Sequence, residues 1–205
     1  MDDDFVLLDA WRGGDRTAGD ALLRRHFDGM YRFFRNKIDH GVDDLIQRTF
    51  TACIAAKGDI RKQSTFRTYL FTIARHELYH HWSRTRRDDQ RFAPAETSVA
   101  QMGGSASSIM AREQEQRLLL RALRMLPLEL QLVIELHYWE QLSTQEIAEI
   151  LDVPQGTAKS RMRRAREQLD DLIRELEESP ALIESTLAAF DDWAASVRDL
   201  LVAPQ

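Results

Sequence analysis

The chain has 205 residues, 43% of them hydrophobic and 30% charged, which is the make-up of a water-exposed globular protein of one or two domains. No apolar run reaches the ~18 residues that a membrane helix needs, and the opening Met1-Asp2-Asp3-Asp4 is acidic where a secretion signal is basic. Cys53 is the single cysteine, which excludes an internal disulfide and a cysteine-based zinc finger and fits a reducing, cytoplasmic setting; the net charge of −5 conceals two basic islands and an acidic tail.

Proline and glycine are scarce, and apolar residues recur at helical spacing with no alternating strand run, so the fold is expected to be all-α. The first predicted helix covers 20–38, with Leu22, Leu23, Phe27, Met30, Phe33 and Phe34 on its apolar positions. A second covers 43–56, with Leu45, Ile46, Phe50 and Ile54, and a third covers 64–82, with Phe66, Tyr69, Leu70, Ile73, Leu78 and Trp82. Most of these aromatics are read as core packing. From Arg61 to Arg91, eight cations face three acids. A stretch with Pro94, Gly103, Gly104 and many Ala, Ser and Thr residues follows and reads as a flexible linker over 92–112. This divides the chain into a first domain, 1–91, a second, 113–172, and an extension, 173–205.

The second domain carries the sharpest local pattern. Ser143 followed by Glu146 is a capping box, Ala148 is small where another helix must cross, and Ile147, Ile150 and Leu151 form a core face. Asp152-Val153-Pro154 makes a short turn, since Asp tolerates the left-handed conformation and Pro suits a helix start. The helix from Gln155 to Leu169 then presents five cations against Glu167. This is a helix-turn-helix with a basic second helix, suited to a major groove. An ordinary helical hairpin with a solvated charged face is the plain alternative.

The flanking residues are more specific. Ala122-Leu123-Arg124-Met125-Leu126-Pro127 with Val133-Ile134-Glu135-Leu136, and the closing run Gly156 to Arg166, resemble region 4 of bacterial sigma factors. Asp43-Asp44-Leu45-Ile46-Gln47-Arg48-Thr49-Phe50 is similar to the region 2 helix that docks on the polymerase core, and Phe66 to Arg75 resembles the segment that handles the −10 element. Two such domains joined directly by a linker resemble the extracytoplasmic-function sigma factors of the sigma-70 family. The resemblance covers about 20–172. It implies a cytoplasmic protein without catalytic residues or cofactor, whose partners are core RNA polymerase and promoter DNA. An anti-sigma factor, or regulation by the chain's own extension, would be a further control.

The resemblance also assigns sites. Gln155, Thr157, Lys159, Ser160, Arg161, Arg163 and Arg164 would meet the −35 element. Arg61, Lys62, Ser64, Thr65, Phe66, Arg75, His76, Trp82 and Arg84 would hold the opened −10 strand, for which cations along the backbone and aromatic faces for unstacked bases are the expected equipment. Asp43, Asp44, Leu45 and Gln47 would meet core polymerase. Several positions depart from the family's usual residues: Arg48 stands for Glu, Gln141 for Gly, and His76 and His80 for Asn and Asp.

Two other readings rest on particular residues. His76-Glu77-Leu78-Tyr79-His80 matches the HExxH zinc-hydrolase pattern, yet Ser83 and Arg86 stand where the extended form has Gly and His, and the surrounding arginines disfavour a dication, so no metal is expected. A helix-turn-helix regulator independent of polymerase would need only the second domain. Beyond Pro180, Leu187, Phe190, Trp193, Ala194, Val197 and Leu201 make an apolar stripe on an acidic segment. That stripe extends the second domain's core, lets the tail lie near a basic face or hold the two domains together, or docks a partner.

Overall fold

The computed structural model describes residues 3–56, 65–85, 114–188 and 190. The 92–112 linker, Arg61, Lys62, Ser64 and the stripe residues from Trp193 onward lie outside them.

All regular structure among the described residues is helical, in agreement with the expected class. In chain order the helices are α1 (Asp3–Arg12), α2 (Arg16–Arg35), α3 (Val42–Ala55), α4 (Phe66–Thr85), α5 (Gln114–Met125), α6 (Leu128–Tyr138), α7 (Thr144–Leu151), α8 (Gln155–Leu176) and α9 (Pro180–Ala188). Helix α1 is an addition to the sequence reading. Its signal was present in Leu7, Leu8 and Trp11, spaced to face one side, and Leu8 and Trp11 are buried against α2. Trp11 lies so close that a Cβ on Gly19 would stand 2.5 Å from its indole nitrogen, so glycine is required there. Asp15 caps α2 by accepting from the amides of Thr17 and Ala18.

Helices α1 to α4 form one bundle, and α5 to α8 a second in which α8 packs on α5, α6 and α7. Helix α8 continues to Leu176, past the expected boundary at 172, and carries Ala165, Leu169 and Ile173 into the core of the second bundle. Helix α9 begins at Pro180, an acceptable first-turn position for proline, and Leu182, Ile183, Leu187 and Phe190 pack against that same core. Phe190 meets Tyr138 edge-on at 4.9 Å, and the Arg166 guanidinium lies over both rings. The described part of the extension therefore lengthens the second bundle's core.

The two bundles are packed against each other. One continuous apolar cluster runs from Leu22, Phe34, Leu70 and Leu78 of the first to Leu132, Leu136 and Ile147 of the second, with α4 against α7. Helix α6 makes this possible because it is apolar all round. Leu128, Leu132, Val133 and Leu136 belong to the shared cluster, while Leu130 and Ile134 face α5 and α8. A helix with apolar residues on every side needs cover on every side.

Candidate nucleic-acid interface and the seam beside it

The helix-turn-helix forms as its residues dictate. The Ser143 hydroxyl accepts from the Glu146 amide at 3.3 Å, and the Glu146 carboxylate accepts from the Ser143 amide at 2.9 Å, so both halves of the capping box are closed. Asp152 ends α7 in the left-handed conformation at φ 55°, and Ala158 is buried where α8 crosses α7. Gln141, just before this motif, is also left-handed, at φ 54°. That conformation explains why glycine is the natural residue there.

The basic face of α8 is open to solvent over most of its length. Gln155, Lys159, Ser160, Arg163 and Arg164 are exposed, and Thr157 is half-buried. Gln155 reaches back to the Thr144 hydroxyl at 3.4 Å, tying the start of α8 to the start of α7. Arg163 is 74% exposed, with only an i,i+4 pairing to Glu167. Arg161 differs: it is 26% exposed and donates to Glu129 of α6 at 2.7 Å. Arg161, Arg163 and Arg164, with Glu129, Pro127 and Leu130, wall a groove along α8.

The expected −10 face is only partly presented. His76 and Arg84 are exposed, Arg75 is half-buried against the Tyr79 ring, and Thr65 is bonded to Thr68 and Glu146. Phe66 and Trp82 are buried, with Phe66 beside His26 at 5.3 Å between ring centres. Neither ring offers a face to a base in this arrangement, so both stand with the core aromatics of their helix and not with the −10 contacts. On α3, Asp43, Asp44 and Gln47 are exposed, but Leu45 is fully buried. Leu45 supports that surface from below and is not part of it. Arg48 pairs with Asp44 at 3.3 Å and with Glu77 of α4 at 3.6 Å, so the Glu of the HExxH pattern is spent on an arginine. Among the described residues no cluster of three or more His, Cys, Asp or Glu could hold a metal ion.

Between the bundles lies a set of polar residues that the sequence reading did not single out. Glu135 of α6, 2% exposed, is held by the fully enclosed Lys37 ammonium and accepts from Asn36 and Gln131, each at 2.7 Å. Asn36 in turn accepts from Arg124 at 3.1 Å. Burial lowers the pKa of Lys37, and the Glu135 charge opposes that fall. Glu140 accepts from Arg32 at 3.0 Å and from Arg67 at 3.2 Å, and Arg67 also bonds its main-chain carbonyl. Glu129 receives both Arg161 and the Tyr79 hydroxyl of α4. Gly29 makes room for this: a Cβ there would stand 3.0 Å from the Glu140 carboxylate. Across the seam the first bundle thus supplies Arg32, Asn36, Lys37, Arg67 and Tyr79 as donors, and the second supplies three carboxylates.

A basic helix-turn-helix joined to a helical bundle that carries its own cations defines a DNA-binding protein of two units. Comparison with known proteins makes this specific. The family described as Sigma-70 region 2 matches residues 21–88, and the family described as Sigma-70, region 4 matches residues 116–169. The ECF RNA polymerase sigma-E factor of Salmonella typhimurium is 30% identical over 182 residues, covering 84% of this chain and 95% of that protein. Its counterpart in Haemophilus influenzae is 27% identical over 183 residues, covering 84% and 96%. Among solved structures, CnrH in complex with the cytosolic domain of CnrY has the same fold at a TM-score of 0.63 and 24% identity, over 84% of this chain and 97% of that one. The sigma factor RpoE in complex with the anti-sigma factor NepR from Bartonella quintana aligns at a TM-score of 0.55 and 26% identity, over 75% and 93%. The chain belongs to the extracytoplasmic-function sigma factors of the sigma-70 family, and it directs transcription initiation. No helix among the described residues is long and apolar enough to cross a membrane.

Proposed function

We propose that the chain acts by binding alone, in the cytoplasm, with residues 1–91 as the polymerase- and −10-binding unit, 113–172 as the −35-binding unit and 173–205 as an extension of the latter. The observation that carries this is α8. Its capped partner helix and tight left-handed turn aim Lys159, Ser160, Arg163 and Arg164 outward from one rigid face, with Gln155 and Thr157 at its leading end. A helix so presented fits the major groove, where most contacts position the protein on phosphate and a few read bases.

On the first unit, Asp43, Asp44 and Gln47 form the exposed acidic and polar face of α3 for core polymerase. Arg75, His76 and Arg84, with Arg61, Lys62, Ser64 and Thr65 ahead of them, supply the strand-holding face. The two solved relatives stand in complexes, one of them with a named anti-sigma factor, which supports an inhibitory protein as a further partner class. No group in this reading performs catalysis or needs a cofactor.

The test is run-off transcription from genomic fragments with core polymerase. The wild-type chain should initiate at a defined set of start sites. Arg164→Glu should keep core binding and weaken promoter binding about 5- to 150-fold, the ~1–3 kcal/mol of a lost base contact, or else flatten its salt dependence if the contact is to phosphate. Initiation at no fragment by the wild-type chain would end the proposal.

A further inference from the structure

Two acids stand among the arginines of the α8 groove, and they are held differently. On a face that receives a polyanion, a carboxylate lowers affinity unless something offsets it. Glu167 pairs with Arg163 one turn away on the same helix, and both side chains are more than half exposed, so the pair is weak and yields to a phosphate. Glu129 reaches Arg161 from another helix, is 13% exposed and accepts at 2.7 Å, the short distance of a charge-assisted bond. Its own place is fixed. It lies in the first turn of α6, where the helix dipole favours an acid, between the buried Leu128 and Leu130. Both partners belong to the second bundle, so the pair does not depend on Tyr79, the α4 hydroxyl that shares the carboxylate.

We propose that Glu129 is a positioning residue for promoter reading: it holds the Arg161 guanidinium so that it reads one −35 base edge and does not grip phosphate at every sequence. This rests on the proposed −35 role of α8.

Charge and geometry act together here. A free arginine on a basic helix neutralises whichever phosphate is nearest, and that contact carries no sequence information. Tied to Glu129, Arg161 adds no net charge to the face, so its pull on an arbitrary phosphate is largely cancelled. What it keeps is direction. The guanidinium carries its donors in a rigid plane, and the bond to Glu129 uses part of that set and fixes the plane. The remaining donors then suit a base edge in one register, with the long side chain already ordered before DNA arrives. The carboxylate therefore lowers affinity for all DNA and widens the gap between right and wrong sequence.

The experiment uses holoenzyme assembled from core polymerase and the full chain. Binding is measured on duplexes that differ by single base pairs across the −35 element of a promoter mapped by run-off transcription, and on an unrelated duplex over a range of salt. Glu129→Ala should keep the parental helicity. At the base pair that Arg161 reads, it should flatten a parental preference of about 5- to 150-fold to within about threefold. On the unrelated duplex it should bind more tightly at low salt, with the slope of log affinity against log salt steeper by about 0.9, one further phosphate. Glu167→Ala, which also removes one acid from the groove, should leave preference and slope near the parental values. In an Arg161→Ala background, Glu129→Ala should change the preference at no base pair, because nothing is left for it to orient. Loss of the partner of Tyr79 alters affinity equally at every base pair and moves neither readout.

A Glu129→Ala protein with parental preference or parental slope, an equal loss of preference in Glu167→Ala, or a further loss in the Arg161→Ala background would each overturn the role of Glu129. Loss of helicity in Glu129→Ala would also overturn it, by making the pair part of the folding core. Arg164→Glu is the reference for α8 itself. If it binds the promoter as the parent does, the −35 reading falls and the role of Glu129 with it. If it weakens binding while Glu129→Ala keeps the parental preference, the −35 reading stands and the role of Glu129 alone falls.

Discussion

At Gln141 the backbone takes φ 54°, where an L side chain is strained by roughly 1–2 kcal/mol while glycine is at ease. The residue is exposed and its side chain has no role in the seam. Gln141→Gly should therefore stabilise the protein by about 0.5–1 kcal/mol, the strain relieved exceeding glycine's added freedom in the unfolded chain. Thermal denaturation would register this as a rise in midpoint, and a fall would mean that the conformation costs nothing here. His26 belongs to the same scale. Its ring nitrogen lies 2.7 Å from Asp4, and burial, the largest influence, lowers its pKa from the ordinary 6.5 despite that carboxylate. The half-buried His81 and the exposed His76 are shifted in the same direction, also by desolvation first. A base with a depressed folded pKa binds fewer protons folded than unfolded, so its contribution is full above the unfolded pKa and is lost as pH falls below about 6.5. Urea midpoints should drop between pH 7 and pH 5.5, and His26→Gln, which keeps a donor for Asp4, should make that drop shallower. An equal drop in both proteins would remove His26 from the account.

The elements owe their limits to a few termini. Helix α7 has only eight residues, too short to persist without help, and its start rests on the Ser143–Glu146 box. Ser143→Ala should cost about 1 kcal/mol, measurable by urea denaturation. Because Glu146 also receives Thr65 of α4, the same substitution should loosen the seam, visible as faster amide exchange at the start of α4. Unchanged exchange there would separate capping from docking. Helix α6 poses the opposite problem. Its ends are unremarkable and its interior is all core, with Gln131 and Glu135 enclosed among leucines. Read alone, a continuous apolar helix says that it will be surrounded, but it does not say by what.

For the whole molecule, the tail was open to three readings: a brake on DNA binding, a continuation of the core or a helix for a partner. Among the described residues α9 supports the continuation of the core, through Leu182, Ile183, Leu187 and the Tyr138–Phe190 contact. Truncation after Ser179 should lower stability by at least ~2 kcal/mol, since several half-buried apolar side chains lose their cover, and should not strengthen promoter binding at low salt. Stronger binding by a truncated protein of undiminished stability would restore the brake.

The helical class, the helix-turn-helix with its box and left-handed turn, and the basic face of α8 were all legible in the residues. Each depends on interactions within a few positions of the chain, where spacing and residue type are enough. Even Asp152 could be placed in advance, because turn chemistry is local. Leu45, Phe66 and Trp82 were harder, since helical spacing does not say how far a neighbouring helix will overlap the edge of an apolar face. The seam was decided only in three dimensions. Lys37, Asn36 and Arg32 lie about a hundred positions from Glu135 and Glu140, and a charged residue on a helix reads as solvated unless something distant covers it. What covers it is the second apolar side of α6, a surface whose partner no local pattern names.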